Sequence, residues 1–61
     1  MKKGRNKIML VFGNLIHTEQ PTELFKGTLE ECREYIKEQD LNDYEHMNID
    51  YDNGEIYERI K

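Results

Sequence analysis

Thr28 stands three residues before Glu31, directly after Gly27 and ahead of an apolar-periodic stretch. In T-x-x-E the hydroxyl accepts from one free amide of a helix's first turn and the carboxylate reaches back to another, so the pattern marks a helix start. The helix expected from it runs from Thr28 to about Asp40, with Glu30 and Glu31 in its electropositive first turn and Asn42 as its stop. Leu29, Cys32 and Ile36 form a narrow apolar stripe flanked by Tyr35, whereas Glu30, Arg33, Glu34, Lys37 and Glu38 form a solvated face. A helix with one apolar stripe has to pack on another element, and the segments on either side of this one are strand-like.

Residues 7–12, KIMLVF, have the β-branched and aromatic content of a strand, and Gly13-Asn14 predicts a two-residue turn into LIHTE, residues 15–19. Gln20-Pro21 interrupts that second strand. Proline lacks a donor, so the strand bulges, lies at an edge, or ends and resumes at TELFK. Beyond the polar connection LNDYE, the segment HMNIDYDNGEIYERI contains Asn53-Gly54, a type I′ hairpin signal because both central positions need positive φ.

A two-residue turn at Asn53-Gly54 pairs Tyr51 with Ile56, Asp50 with Tyr57, Ile49 with Glu58, Asn48 with Arg59 and Met47 with Ile60. Met47, Ile49, Tyr51, Ile56 and Ile60 then share one face. A three-residue loop would scatter that apolar set over both faces, so the tighter turn is expected. Glu58 becomes a misfit on the inner face, placed at a sheet margin where its carboxylate reaches water. The chain thus reads ββαββ: an α+β fold with a four-stranded antiparallel sheet and one helix packed on one face. Residues 7–61 form the domain and residues 1–6 a flexible basic tail.

One helix covers one face, yet the first strand is apolar on both sides. Ile8, Leu10 and Phe12 alternate with Met9 and Val11, and Ile16 joins the second set. The helix is expected to lie over the first set, leaving Met9, Val11 and Ile16 for another polypeptide, with Tyr57 and Arg59 facing outward. These five residues are the candidate interface, and a twofold homodimer is the simplest cover.

Composition excludes several chemistries. The single Cys32 rules out an intramolecular disulfide and fits a reducing, cytoplasmic setting; with His17 and His46 it lacks the paired spacing of a tetrahedral metal site. Cys32 on the apolar stripe reads as a small buried hydrophobe rather than a nucleophile. Gly4, Gly13, Gly27 and Gly54 are scattered singles, so no phosphate-cradling loop and no cofactor are expected. The apolar run Ile8–Phe12 is too short for a membrane span. A short helix over a small sheet offers little concave volume for catalysis, and no enzyme is expected.

Four basic residues, Lys2, Lys3, Arg5 and Lys7, crowd the start, where no acid occurs. Taking them from the nine basic residues leaves five against thirteen acids, a formal −8 over residues 8–61. Such a body repels phosphate, so no direct nucleic-acid binding is expected. Its carboxylates, Glu30, Glu34, Glu38, Asp40 and Asp43 among them, serve solubility or imitate a row of phosphates.

A short hairpin followed by FKGTLEECREYI and then IDYDNGEIYERI resembles the small ββαββ orphan proteins of phages and prophages of Gram-positive bacteria. Several of these inhibit bacterial immunity, such as Hachiman, Thoeris or CRISPR systems, by binding a defence protein or sequestering its nucleotide signal. The resemblance implies a non-enzymatic, phage-encoded protein acting in the host cytoplasm by contact with a defence protein. The alternatives are a sponge for a nucleotide signal at a dimer interface, and an acidic nucleic-acid mimic.

Overall fold

The computed structural model describes residues 7–61; the basic tail expected over residues 1–6 lies outside them. Along the chain come β1 (Met9–Leu15), β2 (Thr22–Gly27), α1 (Leu29–Lys37), a 3₁₀ turn (Leu41–Asp43), β3 (Tyr44–Tyr51) and β4 (Ile56–Arg59). The strands form one antiparallel sheet in the order β2-β1-β3-β4, the expected ββαββ architecture.

The helix start is built as the T-x-x-E pattern requires. The Glu31 N–H donates to Thr28 Oγ1 at 3.2 Å and the Thr28 N–H donates to Glu31 Oε1 at 2.9 Å. Such a reciprocal cap is worth about 1 kcal/mol. The helix ends three residues short of Asp40, in a tightened last turn where the Glu38 N–H reaches the Tyr35 carbonyl and the Gln39 N–H reaches that of Ile36. Asn42 does not stop it. Asp40 caps the following 3₁₀ turn by accepting from the Asn42 N–H at 3.0 Å, and β3 begins at Tyr44, inside the stretch expected to be a polar connection.

The first hairpin differs from expectation. Gly13 and Asn14 lie within β1, and the chain reverses at Leu15-Ile16-His17-Thr18, where the Thr18 N–H closes on the Leu15 carbonyl at 3.0 Å. His17 takes φ 80° at the third position, as a type II turn requires, so Ile16–Glu19 are turn and loop rather than strand. Gly13 serves packing: a Cβ there would lie 2.9 Å from the His46 carbonyl oxygen and 3.0 Å from Leu24 Cδ1. Asn14, 6% exposed, holds the new turn by donating from Nδ2 to the Thr18 carbonyl at 3.1 Å. After the proline, the chain resumes as β2 at Thr22.

The second hairpin contains two offsetting irregularities. The Tyr51 N–H donates to the Glu55 carbonyl at 2.7 Å, the Gly54 N–H donates to the Tyr51 carbonyl at 3.0 Å, and only Gly54, at φ 97°, is left-handed. This is the three-residue loop Asp52-Asn53-Gly54, not the type I′ turn. It moves Asp50 opposite Ile56; Tyr57 then bulges out of the ladder and restores Ile49 opposite Glu58 and Asn48 opposite Arg59. Those two pairs are the expected ones, whereas Tyr51 with Ile56 and Asp50 with Tyr57 do not form.

The core lies between α1 and the sheet. Met9, Val11, Cys32, Tyr44, Met47 and Ile49 are buried, with Leu24, Phe25, Leu29, Tyr35, Ile36, Leu41, Tyr51 and Ile60 packed around them. Met9 and Val11 therefore face the helix, the reverse of the side expected for them.

Candidate interaction surface

Strand alternation and the register sort the sheet into rows, each on one face. Gly27–Met9–Tyr51, Phe25–Val11–Ile49–Glu58 and Thr22–Gly13–Met47 lie on the helix side. Direct contacts to α1 agree. The Phe25 and Tyr35 rings stack at 4.8 Å between centroids, and Arg33 Nη2 donates to Glu58 Oε1 at 2.8 Å. The inner-face misfit Glu58 thus has its partner on the helix while its carboxylate still reaches water. That carboxylate, through the hydrogen bond first and its charge second, holds the Arg33 guanidinium above its ordinary pKa.

The opposite face carries Lys26–Leu10–Asp50–Ile56 and, two residues along, Glu23–Phe12–Asn48–Arg59. No described element crosses it. Leu10 and Phe12 are half-buried by their neighbours alone, Ile56 is 50% exposed, and Ile8, next in the same alternation, is 37% exposed. At its centre the Asp50 carboxylate, 9% exposed, accepts from Asn48 Nδ2. An apolar pair ringed by Lys26, Glu23, Arg59 and Ile56 is thus left uncovered by the described residues.

The five expected interface residues do not come together. Met9 and Val11, at 3% and 0% exposure, are enclosed by the chain's own helix and drop out. Ile16 is exposed, but at the tip of the first hairpin. Arg59 lies on the open face, at the end of Phe12's row. Tyr57 does not accompany it: the bulge turns it to the helix side, where its ring meets Tyr51 edge-on at 5.4 Å. The same bulge turns Ile56, expected in the core, outward. The uncovered apolar set is accordingly Leu10, Phe12, Ile8 and Ile56. Strict alternation separated the first three from Met9 and Val11, but the helix covers the second set and not, as expected, the first.

Cys32 is fully buried, with Sγ donating to the Gly27 carbonyl at 3.8 Å, so it packs as a small hydrophobe. Burial pushes its thiol pKa up; the Gly27 hydrogen bond pulls less strongly the other way, and Glu31's charge adds to the rise. Among the described residues no three of His, Cys, Asp or Glu are placed to hold a metal ion, and no helix is long and apolar enough to cross a membrane. Comparison with family models, curated proteins and solved structures finds no match to this chain.

Proposed function

We propose that this chain is a non-enzymatic binding protein that works with the open face of its sheet against another polypeptide, and that the resulting assembly inhibits a bacterial defence protein by contact. The observation that supports the reading is the open face itself: Leu10 and Phe12 flanked by Ile56 and Ile8, on a side that the helix leaves uncovered. An apolar strip of this kind, rimmed by charged residues, is the usual composition of a protein interface. The defence target and a phage origin come from the resemblance of FKGTLEECREYI and IDYDNGEIYERI to small phage proteins.

The test is protection of an infecting phage. The chain is produced in bacteria carrying one defence system at a time, and plaque formation by a restricted phage is counted. Wild type raises plaquing on one system; Phe12→Asp, confirmed as folded by circular dichroism, does not. Unchanged plaquing across all systems, or equal protection by Phe12→Asp, refutes the reading.

A further inference from the structure

The open face is complementary to itself, and we propose that its occupant is a second copy of this chain, related by a twofold axis lying between the two sheets and perpendicular to their strands. The inference rests on the reading of that face as the interaction surface. It follows from the order of residues in the two open-face rows, Lys26–Leu10–Asp50–Ile56 and Glu23–Phe12–Asn48–Arg59.

An axis perpendicular to the strands leaves each strand opposite its own copy and exchanges the two rows. Lys26 then meets the second copy's Glu23, Leu10 its Phe12, Asp50 its Asn48 and Ile56 the aliphatic stem of its Arg59. Each pairing occurs twice. Opposite charges meet at one margin, apolar groups meet beside it, and the amide of Asn48, which has two donor hydrogens, serves its own Asp50 and reaches the second copy's. Sheets stacked this way pack about 10 Å apart with strands nearly aligned, within reach of these side chains.

The other twofold arrangement, with its axis along the strands, exchanges β2 with β4 and β1 with β3. It retains one favourable charge pair, Glu23 with the second copy's Arg59, but presses Asp50 onto Leu10. A carboxylate desolvated against leucine without a new partner is costly, and this decides between the two arrangements. In the favoured dimer both helices point outward, presenting Glu30, Glu34 and Glu38 to solvent.

Analytical ultracentrifugation over roughly micromolar to millimolar concentrations measures the dimer. Lys26→Glu and Glu23→Lys are each expected to weaken it roughly ten-fold by setting like charges together at both ends. The double variant, Lys26→Glu with Glu23→Lys, restores the wild-type value because the pair re-forms with its signs reversed. All four residues concerned are exposed across the two copies, so the fold is retained. A monomeric wild type, or rescue by Glu23→Arg with Arg59→Glu in place of the first pair, overturns the proposal. A monomer that still protects phage, with Phe12→Asp inactive, overturns the second copy while the open-face reading stands. A dimer without protection supports the second copy and removes the proposed function.

Discussion

Cys32 links sequence position to pH dependence. It faces the sheet from the helix, fully buried, and its pKa is raised first by that burial. The folded state therefore holds the thiol's proton more tightly than the unfolded chain, where a thiol titrates near about 8.5. The resulting stability is fully present below that value and is lost as pH rises toward the higher folded pKa. Urea midpoints taken from neutral to alkaline pH are expected to fall more steeply for wild type than for Cys32→Ala, whatever the variant's starting stability. Parallel curves would contradict the assignment. The buried, apolar reading of Cys32 was available from its place on the 29-32-36 stripe, because a one-residue error in helix phase would have put a charged neighbour there instead.

The two hairpins show how turn and bulge act together. Asn53-Gly54 correctly marks a reversal, but Gly54 alone takes positive φ, and a Cβ placed on it meets nothing within 4 Å. Gly54→Ala should therefore cost about 1 kcal/mol through backbone strain alone, with no packing loss, read as a shift of the urea midpoint at constant slope. A much larger loss would mean that the loop makes contacts which the structure does not contain. Three bulges, at Leu24, Glu45 and Tyr57, each add one residue to a strand. The one at Leu24 sends both Leu24 and Phe25 to the helix side, where Leu24 fills the space above Gly13. The one at Tyr57 exchanges the faces of Ile56 and Tyr57. No local residue pattern announces any of them; Leu24 and Tyr57 are redirected onto Gly13 and the Tyr51 ring.

Across the molecule, β1 and β3 are the inner strands and hold the fully buried Val11, Met47 and Ile49, whereas β4 is a four-residue edge. Local opening should follow that order, because edge backbone is held from one side only. Hydrogen exchange is expected to be slowest at the Val11 and Ile49 amides and faster by orders of magnitude along β4. Protection of β4 equal to that of β3 would mean that the edge is covered in solution. At 61 residues one helix buries one face of the sheet, and in the proposed dimer the second copy would remove the other face from water.

Local physics in the sequence determined the helix start at Thr28, the ββαββ order of four strands and one helix, and the split of β1 into two alternating apolar sets, because capping and strand periodicity act over a few residues. Tertiary structure decided which set the helix covers, where the first hairpin turns, and that Ile56 faces out while Tyr57 faces in. Apart from the local tie from Asn14 to Thr18 across the first turn, those outcomes depend on the fit of Leu24 over Gly13 and the bulge at Tyr57, which bring together segments that meet only once the sheet is assembled.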